Sequence, residues 1–220
     1  MKRGFFIVFE GGEGAGKSVQ AELLANRLRQ DHQSVVVTRE PGGTRIGEQI
    51  RAITHGTENV DLDPVAEAYL MAASRAQHVR EIIAPALADG TIVISDRFVD
   101  SSIAYQGYGR NLGAKAIVAL NALAVNGAKP DLVILLDVPP AVGLARLENK
   151  VKRKDRLDMQ QKDFYDRVHT GYLALAKNNP SRYVVVDATK LAEDVASSIW
   201  KIVKDLLNKR NGKEQKPHCR

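Results

Sequence analysis

The run Gly11-Gly12-Glu13-Gly14-Ala15-Gly16-Lys17-Ser18 fits the pattern G-x-x-x-x-G-K-[ST]. Residues of these types at this spacing do phosphate chemistry. Glycines lacking a Cβ let successive backbone N–H groups turn onto phosphate oxygens. A helix opening directly after the loop adds its positive N-terminal end. Lys17 has the reach and charge for the β- and γ-phosphates of a nucleotide, and the Ser18 hydroxyl is a ligand type for Mg²⁺. Three further groups stand out. Asp96-Arg97 closes an apolar run. Arg75 sits in the small, apolar stretch Met71-Ala72-Ala73-Ser74, where a charge needs a partner. The basic stretch Lys150 to Arg156 separates two helical patterns and is the best candidate for a mobile segment.

Elements must hold these groups in place. Phe5 to Phe9 is an unbroken apolar run leading into the glycines, and Leu132 to Leu136 is a second, ending at Asp137 and Pro139-Pro140. Ser34 to Val37, Thr91 to Ile94 and Tyr183 to Val186 read the same way. Such β-branched runs suit strands covered on both faces of a parallel sheet. Helical spacing over 17–31, 64–88, 113–126, 140–149, 160–177 and 191–208 alternates with them, with Pro85 expected to bend or break the second. Arg51 also falls in a helical stretch. Strand–helix alternation along the whole chain predicts βαβ units and a doubly wound sheet. The Asp96-Arg97 pair then lies at the C-terminal end of a strand, where open α/β sheets bind their ligands.

Composition narrows the class. The 220 residues are 44% hydrophobic and 26% charged, near the globular average, so general disorder is not expected. No apolar run reaches the length of a membrane span, and the short run at 5–9 meets Glu10 too soon for a signal peptide. The lone Cys219 cannot form an internal disulfide, which suits a reducing cytoplasm. Net charge is +6, but much of the excess falls in the basic tail 209–220, and no nucleic-acid reader motif accompanies it. Phosphate ligands are therefore expected and nucleic acid is not. A phosphate loop alone serves GTPases, motor ATPases and kinases. There is no N-K-x-D run for guanine, and 220 residues leave little room for motor machinery. Small-molecule kinases fit the size.

Several separated segments resemble one family. Glu10 to Ser18, Thr38-Arg39-Glu40-Pro41-Gly42-Gly43-Thr44, Ala73 to Ala76, Ser95-Asp96-Arg97 with Ser101 to Gly107, Asp137-Val138 and Asp155-Arg156 are similar to thymidylate kinases, of the bacterial type with a basic lid. The R-E-P-G-G-T and D-R-x-x-x-S-x-x-A-Y-Q-G runs are the specific ones. The resemblance implies a P-loop nucleoside-monophosphate kinase fold. Its features would be a five-stranded parallel sheet with helices on both faces, a domain over 1–208, a lid at about 150–157 and a homodimer. It implies ATP plus dTMP giving ADP plus dTDP, with Mg²⁺.

The same resemblance assigns roles. The loop Gly11, Gly12, Glu13, Gly14, Ala15, Gly16, Lys17 and Ser18 would bind ATP, with Asp96 joining Ser18 near the metal. Arg97 would contact the phosphates. Glu40 and Pro41 would lie against the monophosphate, Arg51 on its phosphate, and Arg75 near the thymine and that phosphate. Glu13 and Ser101 join the same substrate-binding set. Tyr105 would crowd the 2′ side of the sugar, Gln106 would face the base, and Met71 would stand where many members stack a phenylalanine on thymine. The P-loop carries no arginine, so the lid would supply the extra catalytic cation, with Arg153 and Arg156 as candidates. This lid lacks the common Arg-Gly step.

Overall fold

The computed structural model describes residues 3–148 and 155–212. Five strands, β1 (Phe6–Glu10), β2 (Val35–Arg39), β3 (Ile92–Asp96), β4 (Leu132–Asp137) and β5 (Tyr183–Asp187), form one parallel sheet in the order β2-β3-β1-β4-β5. The unbroken apolar runs are explained by coverage on both faces. In β1, Ile7 and Phe9 join one core with α1 (Lys17–Gln30) and α9 (Ala192–Gly212). Phe6 and Val8 join the opposite core with Phe164, Val168 and Tyr172 of α8 (Lys162–Asn178). The five-stranded parallel sheet with helices on both faces is the one expected from the sequence.

The remaining helices are α2 (Arg45–His55), α3 (Pro64–His78), α4 (Ala84–Ala88), α5 (Val99–Ser102), α6 (Ala114–Val125) and α7 (Pro140–Glu148). Local chemistry starts them where they start. Thr44 caps α2 by accepting from the Gly47 N–H. Asp63 caps α3 by accepting from Val65 and Ala66, with Pro64 in the first turn. The bend expected at Pro85 takes the form of a π-helical turn, Val79–Ile83, between α3 and α4. A wider turn there accommodates the N–H that proline lacks. A second π-turn, Ile103–Gly109, follows α5.

Two boundaries differ from expectation. Helix α9 continues through Gly212, past the end expected at 208. Residues 155–157, expected within a mobile lid, are packed: Arg156 and Leu157 are buried, and the Arg156 N–H donates to the His55 carbonyl. The rest of the lid, 150–154 with Arg153, and the tail from 213 lie outside the described residues. Among the described residues no helix is long and apolar enough to cross a membrane.

Candidate active site

Register brings the chemistry together. Phe9 pairs with Asp96 and Glu10 with Leu135, so β1 ends level with its two neighbours and the glycine loop emerges between them. This is the switch point of the sheet, where the connections on either side diverge. The Glu40 N–H donates to the Asp96 carbonyl, which sets the Glu40-Pro41-Gly42-Gly43 turn beside the same edge.

The loop's glycines are required by geometry. Gly14 has φ +67, and a Cβ there would lie 2.0 Å from the Gly143 carbonyl oxygen of α7. Gly16 has φ +88 and precedes α1, whose first turn no side chain caps. Lys17 folds back, its Nζ donating to the carbonyls of Gly11 and Gly12 at 3.1 and 2.8 Å. Burial and the nearby Arg97 push its pKa below the usual lysine value. The Ser18 hydroxyl donates to Asp96 Oδ2 at 2.5 Å.

Arg97 occupies the junction. Its backbone is left-handed, φ 74, a conformation that costs a non-glycine residue about 1–2 kcal/mol. Its N–H is held by the Phe9 carbonyl. One terminal nitrogen, Nη1, donates to the Gly11 carbonyl, Ser101 Oγ and the Tyr172 hydroxyl; the other donates to Glu13 at 2.6 Å and the Tyr105 hydroxyl at 3.0 Å. The Tyr105 hydroxyl also donates to Glu13, at 2.6 Å. Burial alone would raise the Glu13 carboxyl, but Arg97, Lys17 and that hydroxyl hold it at about 2. Beneath this triangle Glu10 is fully buried and accepts from the N–H groups of Phe98 and Ser101 and the hydroxyls of Ser101 and Tyr172. Burial and Asp100 push it up to about 7.

A cleft opens from the junction. Its walls contain all ten residues expected to bind substrate: Glu13, Glu40, Pro41, Arg51, Met71, Arg75, Arg97, Ser101, Tyr105 and Gln106. His55, Ser102, Asp155 and Leu157 complete it. Burial and Arg51 push His55 down to about 4. The inner face of α3 carries Glu67, Met71, Arg75 and His78 at helical spacing, all buried. Arg75 is engaged at every nitrogen: Glu40 on Nε, Ser102 and Asn121 on Nη1, the Phe98 carbonyl on Nη2. His78 bridges Glu40 and Thr38.

Arg156, one of the two candidates for the extra cation, is held inside the protein. Its guanidinium is buried, donates to the Thr54 carbonyl and pairs with Glu67, which also binds Arg110 and the Gln106 amide. It is held as a structural ion pair with no partner in the P-loop among the described residues. A buried carboxylate needs opposite charge beside it, and Arg110 and Arg156 both supply it to Glu67. Sequence reasoning missed Glu67 and Glu10 as well. Each had a signal: Glu67 lies four positions before Met71, and Glu10 is a charge closing an apolar strand. For His55 and Tyr172 there was none.

A family model described as thymidylate kinase matches residues 9–199. The thymidylate kinase of Desulforudis audaxviator is 48% identical over 209 residues, covering 94% of this chain and 93% of the relative. That of Geobacter sulfurreducens is 45% identical over 212 residues, covering 94% and 100%. The crystal structure of thymidylate kinase from Ehrlichia chaffeensis superposes with a TM-score of 0.74 at 34% identity, covering 91% of this chain and 99% of that one.

Proposed function

The chain belongs to the thymidylate kinase family, and on that premise we propose how its residues divide the transfer of phosphate from ATP to dTMP. The observation that carries the reading is Arg97. Its guanidinium bonds at once to the P-loop, through Gly11 and Glu13, and to Tyr105 in the cavity wall. One cation therefore spans the donor and acceptor halves of the site. The P-loop N–H groups, the start of α1 and Lys17 hold the ATP phosphates. The cavity holds dTMP, with Arg51 toward its phosphate, Tyr105 against the sugar and Met71 and Gln106 toward the base.

Little covalent chemistry is asked of the protein. Positioning and neutralisation of charge on the moving phosphoryl lower the barrier. Lys17 leaves the loop carbonyls for the phosphates when nucleotide binds, and Arg97 stays fixed by its five partners. Ser18 and Asp96 offer hard oxygen donors of the kind Mg²⁺ takes alongside nucleotide phosphates, so these two residues would hold it. When bound, the ion supplies further charge neutralisation. With Arg156 committed to Glu67, Arg153 is the remaining lid candidate for an extra cation.

The active form we propose is a homodimer. Helices α3 and α6 pack together and expose Val65, Tyr69, Val118 and Leu123, the last 80% exposed. Apolar side chains clustered in this way mark an interaction face.

A screen of common nucleoside monophosphates with ATP and Mg²⁺ tests the reading. ADP should form fastest with dTMP, and Lys17→Ala should abolish it while the melting transition survives. Comparable turnover by the mutant sinks the assignment.

A further inference from the structure

Glu67 is bonded to Gln106 of the cavity wall and makes no bond to the P-loop among the described residues. It is fully buried on α3 and gathers three side chains from distant parts of the chain. Arg110 donates to its Oε2 at 3.1 Å, and Arg156 pairs with the same oxygen. The Gln106 amide Nε2 donates to Oε1 at 2.7 Å. Two guanidinium groups keep this carboxylate ionised, against the tendency of burial to raise it, so Arg110 first and then Arg156 hold its pKa low. An ionised carboxylate only accepts. The Gln106 amide can therefore face it with the NH₂ end alone. Turning the amide over would set its carbonyl oxygen against a carboxylate oxygen.

The other end of that amide is then determined. Gln106 Oε1 takes no hydrogen bond from a described residue and is not among the buried atoms left without a partner, so it opens to the cavity that Gln106 lines. We propose that Glu67 is a specificity-determining positioning residue: by fixing the Gln106 amide it presents an acceptor, and only an acceptor, to the base. This rests on the reading of the cavity as the nucleoside monophosphate site. A base with a ring N–H flanked by two carbonyls, as in thymine or uracil, satisfies that oxygen. Cytosine brings a ring nitrogen lone pair to the same position, and two acceptors then face each other. A site built to pair one hydrogen-bond type rejects an analogue lacking it far more strongly than an apolar pocket does.

Glu67→Gln tests this, because a neutral amide can donate to Gln106 and release it to turn over. The ratio of kcat/KM for dTMP to that for dCMP should narrow by about tenfold or more, equivalent to about 1.4 kcal/mol. The ratio of dTMP to dUMP should hold, since both carry the ring N–H. A merely structural loss would lower all three acceptors together. Glu67→Asp, which keeps an acceptor-only group, should retain the discrimination. A folded Glu67→Gln protein with an unchanged dTMP to dCMP ratio overturns the proposal.

Should Glu67→Gln fail to fold, Gln106→Met leaves the ion pairs intact and should narrow the same ratio; an unchanged ratio there overturns the proposal equally. In the Gln106→Met background, Glu67→Gln should shift the ratio no further. Wild-type protein that turns over no dTMP would instead refute the site reading itself.

Discussion

Arg156 shows how far a residue's environment can override its type. A basic side chain beside a lid reads as a phosphate ligand, yet here it is buried against Glu67 and the Thr54 carbonyl. Removing one partner of a buried pair is costly because the other charge is left behind, although Arg110 softens the loss here. Arg156→Ala should therefore cost about 2 kcal/mol, lowering Tm by about 4–8 °C. A calorimetric scan that shows no loss of Tm, together with a large fall in kcat, would restore Arg156 to catalysis. Met71 makes the opposite case. It is buried on the same helix face as Arg75 and lines the cavity, so its sulfur can lie against a base. The aromatic gain of a phenylalanine overlaps that of methionine, each within about 0.3–1.5 kcal/mol. Met71→Phe should lower KM for dTMP a few-fold and leave that for ATP alone. Lost stability with unchanged dTMP binding would mean that Met71 is packing only.

At the scale of elements, the P-loop is shaped by what it rests on. Gly14 and Gly143 let the loop and helix α7 meet backbone to backbone, and a Cβ on Gly143 would lie 2.1 Å from the Glu13 carbonyl oxygen. Helix α7 is thus a floor under the loop. Gly143→Ala forces that floor away, at an overpacking cost of about 1–3 kcal/mol. Because the displaced group is the backbone of Glu13, the Arg97 and Tyr105 contacts shift with it. Weaker ATP binding measured by calorimetry is expected alongside the lower Tm; native ATP affinity would separate the helix from the loop. The π-turn Ile103–Gly109 is a second device of this kind. It carries Tyr105 and Gln106, both buried, on a widened turn packed on α8. Gly109 permits that packing, since a Cβ there would meet the Phe164 ring at 2.7 Å.

Over the whole molecule, buried titratable groups give stability a pH dependence with two opposing parts. Glu10 has its folded pKa raised from the ordinary 4.5 to about 7, so its contribution is full below 4.5 and is lost as pH rises through 7. Glu13 and His55 are depressed, to about 2 and about 4; their contributions are present above 4.5 and 6.5 and are lost as pH falls through the folded values. Relative to Glu10→Gln, the wild-type Tm should therefore decline as pH rises from 5 to 8. A difference that stays flat would mean Glu10 does not titrate in that window. The proposed dimer is tested at the same scale. Leu123→Glu places a charge on the exposed α3–α6 face and should yield a monomer in sedimentation, whereas an unchanged mass moves the interface elsewhere.

The sequence by itself determined the sheet and the phosphate loop, and through its family resemblance ten of the residues that line the cavity. Those are local or periodic matters: apolar runs covered on both faces, glycines required by backbone geometry, motifs of fixed spacing. Tertiary structure alone decided which charges remain available. Arg75, Arg97 and Arg156 each read along the chain as a cation for substrate or phosphate. Only the folded chain shows Arg75 engaged by Glu40, Ser102, Asn121 and Phe98, Arg156 captured by Glu67, and Arg97 left spanning loop and cavity. A buried cation must find partners, those partners lie as far as 102 residues away, and nothing in local sequence records which one it meets.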